Sequence, residues 1–123
     1  MIVTTTSKGD ITCCSKKEIA EIIKRGAALQ EGDEIWISGD DEKYPCLNIL
    51  VKGKYACVHY FEEEDDVLQS CGDDVDEEVV FLAGGAEWVA PEYTIISSKK
   101  AVRCMEEFFD TMECPECIEW DEL

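Results

Sequence analysis

The sequence has few basic residues for its acidity. Eleven Lys and Arg stand against twenty-nine Asp and Glu, which leaves a net charge of −18, and residues 55–98 hold twelve acids with no Lys or Arg. A field of this sign repels phosphate backbones and anionic membranes and attracts basic proteins. We therefore expect no binding to nucleic acid or membranes, and a basic protein partner. The alternative is that the acids only keep the surface soluble.

The sequence also lacks a long apolar segment. No apolar run approaches the ~20 residues that span a bilayer, and the first residues lack the basic start and hydrophobic stretch of a secretory signal. We expect a cytoplasmic protein. Hydrophobic residues make up 46% of the chain, which is enough to fold despite the charge, and the length suits one domain over residues 1–123.

Groups for catalysis are scarce. His59 is the only histidine and lies in an apolar segment, where a histidine is more often a core residue than a base. Gly84-Gly85 lacks the lysine and the following helix of a phosphate-binding loop. Cys114 and Cys117 have the spacing of a zinc half-site or redox pair, without a second such pair. We predict no catalytic residue, metal or cofactor, and keep a metal or redox role for this pair as an alternative.

The middle of the chain predicts a central β-hairpin. Apolar runs at residues 46–51 and 55–61 flank Gly53, and a glycine between such runs suits a tight turn. Alternation places Tyr55, Cys57, His59 and Phe61 on one face of the second strand and Ala56, Val58 and Tyr60 on the other. Because neither face is polar, we expect both to be covered.

Two helices and further strands complete the predicted fold. Ser15 and Glu18 match the capping box of a first helix, Ser97 and Ser98 cap a second helix, and Pro115 stops it. Strands are predicted at residues 34–39, 79–82, 87–89, 93–96 and 117–120, with an edge strand or frayed end at 1–6 and a loop holding one short strand at 65–78. The predicted class is α+β: a mostly antiparallel sheet of about five to seven strands packed with two helices.

Two parts of the chain resemble a known family. The segment Tyr55-Ala56-Cys57-Val58-His59-Tyr60-Phe61, and residues 101–109 followed by Pro115 and Ile118-Glu119-Trp120, resemble the Imm1 family of bacterial immunity proteins. Trp88-Val89-Ala90-Pro91 is similar to that family's aromatic-to-proline passage before the last helix. The resemblance covers roughly residues 33–121. It departs from the family at Met112-Glu113-Cys114, where a glycine and a basic residue are expected.

The resemblance implies a small α+β protein that accompanies a polymorphic toxin and neutralises it by binding. The toxic domain in such systems is often a zinc-dependent nucleic-acid deaminase. A deaminase must hold a polyanion beside its active site, so we expect a basic groove that an acidic inhibitor can cover. The competing function is a cytosolic adaptor or regulatory domain that binds another basic protein. The sequence leaves the oligomeric state open.

Charge and placement select the candidate contact residues. The first-choice acids follow the central hairpin: Glu62, Glu63, Glu64, Asp65 and Asp66. The second-choice acids are Asp73, Asp74 and Asp76. Tyr60, Trp88 and Tyr93 are candidate aromatic anchors, although each also suits a core position. Trp120 is assigned to the core because it ends an alternating segment.

Overall fold

The computed structural model describes residues 1–73 and 77–123, so Asp74 and Asp76 lie outside the described residues. The strands are β1 (Ile2–Thr5), β2 (Gly9–Thr12), β3 (Asp33–Ser38), β4 (Cys46–Lys52), β5 (Tyr55–Glu63), β6 (Asp66–Ser70), β7 (Val79–Ala83), β8 (Ala86–Ala90), β9 (Ile96–Ser97) and β10 (Trp120–Glu122). The helices are α1 (Lys16–Ala28) and α2 (Ser98–Thr111), with a 3₁₀ turn at Glu92–Thr94.

Eight strands form one antiparallel sheet in the order β10-β6-β5-β4-β3-β1-β2, with β9 also paired to β5. Strands β7 and β8 form a second, two-stranded sheet. The predicted α+β class, with two helices and a mostly antiparallel sheet, is confirmed. The strands outnumber the prediction because short segments join the main sheet: β2, β9 and β10 have only four, two and three residues.

The central hairpin is confirmed. Strands β4 and β5 pair from Cys46 opposite Phe61 to Lys52 opposite Tyr55, and Gly53 in their turn has a φ of 59°. Both faces of β5 are covered in the part of the strand that follows its turn with β4. The face that carries Ala56, Val58 and Tyr60 packs under the two helices, and the face that carries Cys57 packs under the small sheet.

The two helices begin where the sequence predicts. The Ser15 hydroxyl accepts a hydrogen bond from the Glu18 N–H at 3.2 Å, and the Glu18 carboxylate accepts one from the Cys14 N–H at 3.2 Å. The Ser97 hydroxyl caps α2 by accepting from the Lys100 N–H at 3.1 Å. The fully buried side chains of the helices are Ile19, Ile23, Ala101, Cys104, Met105 and Phe108. Burial of each large apolar side chain contributes about 1.5–3 kcal/mol, so packing on the sheet stabilises both helices.

The departure from the family at Met112 has a structural counterpart. Met112 ends α2 with a φ of 56°, the left-handed conformation in which helices usually place a glycine, and its N–H donates to the Phe108 carbonyl at 2.8 Å. Its side chain packs against the main core. The described residues contain no helix that is both long and apolar enough to cross a membrane.

Three strand predictions are wrong in detail. Strand β1 is not an edge strand, because β2 pairs with its outer side, and the exposed, polar β2 gave no apolar pattern. Within residues 93–96 only Ile96 belongs to a strand, since the segment after Pro91 turns through Glu92–Thr94. The last strand begins only at Trp120. The Cys117 N–H, which a strand would pair, donates instead to the Glu107 carboxylate at 3.0 Å.

Candidate binding surface

The first-choice acids form the turn between β5 and β6. Glu63 pairs with Asp66 across the turn, Glu64 and Asp65 lie between them, and a register shift after Phe61 marks a bulge. All five acidic side chains are exposed. We name them the acidic turn: Glu62, Glu63, Glu64, Asp65 and Asp66. The structure therefore presents the five carboxylates together at one end of the sheet.

Tyr60 supports the acidic turn from inside the protein. Its hydroxyl donates to the Glu62 carboxylate at 2.5 Å, while its ring packs at 6.2 Å from Phe108 and 6.4 Å from Trp120, centroid to centroid. Only 3% of Tyr60 is exposed. Burial, and then the bond to Glu62, raise the pKa of the Tyr60 hydroxyl, so it stays a neutral donor. Tyr60 is thus a core residue that orients Glu62, and a direct contact would require it to leave the core.

A second acidic segment lies at the same end of the sheet. Ser38 pairs with Cys46, and Cys46 pairs with Phe61, so the connection from β3 to β4 runs beside the acidic turn. We name its three acids the acidic connection: Asp40, Asp41 and Glu42. Asp40 is paired with the N-terminal amine at 2.8 Å, and all three residues are exposed. The sequence pattern alone does not select this segment, because only the strand register places it beside the acidic turn.

Asp73 lies away from the acidic turn. Strand β6 leads away from that turn for five residues, a rise of about 16 Å at ~3.3 Å per residue. Beyond it, the Asp73 N–H donates to the Ile95 carbonyl at 2.9 Å and its carboxylate accepts from Lys100 Nζ at 2.5 Å. The structure therefore separates the first-choice acids from Asp73 and pairs Asp73 with a lysine. Asp74 and Asp76 are outside the described residues.

The two remaining aromatic candidates lie on different parts of the surface. Trp88 on β8 is half-buried against the smaller core, and its ring centroid lies 6.2 Å from that of His59. Tyr93 is 64% exposed in the 3₁₀ turn, and its carbonyl accepts from the Gly72 N–H. Tyr93 is therefore a neighbour of the Asp73 region. The structure does not bring these two aromatic residues together with the acidic turn.

An aromatic cluster that sequence reasoning missed lies between the two acidic segments. The ring centroids of Trp36 and Phe61 are 5.3 Å apart, and those of Tyr44 and Phe61 are 6.3 Å apart. All three side chains are half-buried and belong to neither of the two hydrophobic cores. We name Trp36, Tyr44 and Phe61 the aromatic patch. The alternation of β3 places Trp36 on the face opposite Ile35 and Ile37, but only the strand register shows which side chains it meets.

His59 is held as a neutral structural residue. Its Nδ1 lies 3.2 Å from the Asn48 side-chain oxygen and its Nε2 lies 2.9 Å from the Gln69 amide nitrogen. A neutral imidazole fits both partners, since it donates from Nδ1 and accepts at Nε2. Burial lowers the pKa of His59 to about 4, so the ring is uncharged at neutral pH. This geometry ties three neighbouring strands together.

The cysteine pair considered for redox or metal chemistry lies beside a third thiol. Cys117 Sγ is 3.5 Å from Cys104 Sγ. Burial raises the pKa of both thiols, and raises that of Cys114 to about 11. Protonated thiols are weak nucleophiles and weak metal ligands. Over residues 1–73 and 77–123, no three His, Cys, Asp or Glu side chains are placed to hold a metal ion.

Comparison with known proteins gives one family. No curated protein matches the chain. The family model described as immunity protein Imm1 matches residues 7–122, nearly the whole sequence. The match includes β2 and α1, which lie outside residues 33–121, the part that carries the sequence resemblance. The chain therefore belongs to the Imm1 family of immunity proteins.

Proposed function

We propose that this immunity protein neutralises a cognate nucleic-acid deaminase toxin in the cytoplasm by binding it through the acidic end of the sheet. The family gives the general function, which is immunity against a toxin. One observation supports the specific mechanism. The exposed acidic turn lies beside the exposed acidic connection, so one end of the sheet carries eight carboxylates from two segments.

A toxin that acts on nucleic acid holds a polyanion beside its active site, so its groove is expected to be basic. Complementary charges speed the encounter of two proteins and exclude wrong partners, whereas a single exposed ion pair contributes only about 0–1 kcal/mol. Occlusion of the groove needs many weak pairs and no catalytic group on the inhibitor. Asp73, Trp88 and Tyr93 remain secondary candidates, because they lie outside this acidic end.

The direct test is to co-express the protein with the toxin domain encoded beside it and purify the pair. Deamination of nucleic acid is then measured with and without the partner. The function predicts a stable complex in which the toxin is inactive. Complex formation without any deaminase activity in the free toxin would show that the partner's chemistry is different. No complex and an active toxin would favour the adaptor function.

Charge reversal tests the acidic mechanism. The test variant carries Glu63→Lys, Glu64→Lys and Asp65→Lys, and Glu62 is kept because it binds the Tyr60 hydroxyl. The matched control carries the same change in charge at three exposed residues away from this turn: Glu21, Glu31 and Glu106. We expect association at low salt to slow about tenfold or more in the test variant, and the difference to shrink as salt rises. Equal rates for test and control would contradict the mechanism.

A further inference from the structure

We infer that the aromatic patch is the centre of the toxin-binding surface and that it receives an arginine-bearing loop of the toxin. The inference rests on the proposed function, because it names the part of the acidic end that makes close contact. It concerns Trp36, Tyr44 and Phe61, none of which the charge pattern selects.

The small sheet leaves the part of the main sheet that carries the aromatic patch uncovered. Its core packs over Leu50 and Cys57, and Trp88 extends its cover to His59. Two residues further along β5, Phe61 lies on the same face of the strand as His59. There it packs against Trp36 and Tyr44 instead of against the small sheet.

The aromatic patch offers apolar surface for binding. The Phe61 ring packs against the rings of Trp36 and Tyr44, and none of the three joins a hydrophobic core, so much of their apolar surface is not used to hold the fold together. Binding hot spots are enriched in such aromatic side chains, which are surrounded by a polar rim that excludes water from the contact. The two acidic segments form a rim of this kind on either side of the patch.

The charge around the aromatic patch identifies its occupant. Phe61 is followed directly by Glu62 of the acidic turn, and Tyr44 follows the acidic connection after Lys43. The Lys43 ammonium already lies 5.5 Å from the Tyr44 ring centroid, so one ring of the patch has a cation over it within the protein. Lys43 is exposed and its side chain is free to turn outward. A guanidinium can stack on an aromatic ring and pair with a carboxylate in the same plane, which favours arginine over lysine or an apolar side chain.

The test follows the tryptophans by ¹⁹F NMR. The protein is labelled with 5-fluorotryptophan, and its three resonances are assigned with single Trp→Phe variants. Unlabelled toxin domain with an inactivated catalytic site is then added. We expect the Trp36 resonance to shift or broaden on binding. The Trp120 resonance is the internal control and should stay in place, since Trp120 packs on the helix-covered side.

Substitution gives a second readout. Trp36→Leu and Phe61→Leu keep an apolar side chain but remove the aromatic face, and each should weaken toxin binding about thirtyfold or more, the level of a hot spot. Leu29→Ala is the control at an exposed apolar residue after the end of α1, outside all the candidate contact residues, and it should change binding less than about threefold. Urea unfolding of each variant shows whether it is folded. If a variant does not fold, the Trp36 resonance of the labelled wild-type protein still shows whether the toxin binds at the aromatic patch.

The outcomes separate this inference from the proposed function. A stable complex in which the Trp36 resonance does not move would overturn the inference and leave the proposed function standing. Absence of any complex would overturn both. Hexaarginine and hexalysine peptides at equal ionic strength test the choice of cation: arginine should move the Trp36 resonance further, and equal shifts would contradict the stacking argument.

Discussion

Ser70 is expected to be the most sensitive hydroxyl in the protein, because it closes a gap along one edge of β5. Strand β6 pairs with that edge at residues 59–63, and β9 pairs with it at Tyr55 and Ala56. Between these pairings, the Val58 N–H donates to Ser70 Oγ at 3.1 Å, and the Ser70 hydroxyl donates to the Thr94 carbonyl at 2.7 Å. Ser70 and Thr94 are fully buried.

Replacement of Ser70 by alanine removes a partner from two backbone groups that water does not reach. A buried group left without its hydrogen bond costs about 1–3 kcal/mol, so with two such groups we expect Ser70→Ala to lower the free energy of unfolding by about 2 kcal/mol or more. Small domains have roughly 5–15 kcal/mol of stability in total, and the variant should therefore still fold. The matched control is Ser15→Ala at the exposed start of α1, where the loss of the N-cap costs about 1 kcal/mol.

Urea unfolding followed by circular dichroism measures both losses. With a slope of about 1–3 kcal/mol per molar urea, the midpoint of Ser70→Ala should fall by ~1 M or more while the slope is unchanged. A loss no larger than that of Ser15→Ala would refute the reasoning, because it would mean that the two backbone groups find other partners. Toxin binding by the folded variant should match the wild type, since Ser70 is at the end of β6 opposite the acidic turn.

Two further predictions concern His59 and the glycines. Burial lowers the pKa of His59 from 6.5 in the unfolded chain to about 4. The stability that the neutral ring provides is therefore complete above pH 6.5 and is lost as the pH falls towards 4. The expected loss in the free energy of unfolding is about 3 kcal/mol. The midpoint of urea unfolding, measured as a function of pH, should show this loss of stability in the wild type and not in His59→Gln. A loss of the same size in both proteins would mean that other titrating groups cause it. Gly32→Ala should cost about 3 kcal/mol or more, because φ is 75° and the new Cβ would lie 2.0 Å from the Val51 carbonyl oxygen. Gly84→Ala should cost only about 1 kcal/mol, because φ is 61° but no atom lies within 4 Å of the new Cβ. Equal losses of stability for the two variants in thermal unfolding would show that the contact with the Val51 carbonyl oxygen is not the cause.

Local signals account for the parts of the fold that the sequence predicts well. The capping residues Ser15 and Ser97 act on N–H groups three residues away, and Gly53 supplies the positive φ of its turn by itself. Each of these effects depends on a few neighbouring residues. The helices, the central hairpin and the β7–β8 hairpin could therefore be predicted without knowledge of the rest of the structure.

The missed parts depend on distant residues. Strand β2 has an exposed, polar sequence and is a strand only because β1 pairs with it. The segment after Glu116 starts its strand late, since Glu107 on α2 captures the Cys117 N–H. Likewise, the pattern of β3 identifies Trp36 as lying on the face opposite Ile35, but its contact with Phe61 requires the register of β3, β4 and β5 together. The acidic turn was visible because charge accumulates in sequence, whereas the aromatic patch exists only in three dimensions.

The path of β7 explains why an uncovered surface lies at this end of the sheet. Its start lies beside Tyr55 on β5, whose hydroxyl donates to the Glu77 carboxylate at 2.8 Å, and its end lies beside Glu34 on β3, whose carboxylate accepts from the Gly84 N–H at 3.0 Å. The small sheet therefore crosses the main sheet around Leu50 and Cys57 and does not follow the nine residues of β5 to the acidic turn. The uncovered part of this face must be polar, shield itself or be shielded by a partner. Here it carries three aromatic rings that shield one another in part, next to exposed acids whose charge is of the sign that attracts basic proteins. The same arrangement therefore explains why the toxin is expected to bind at this end of the sheet.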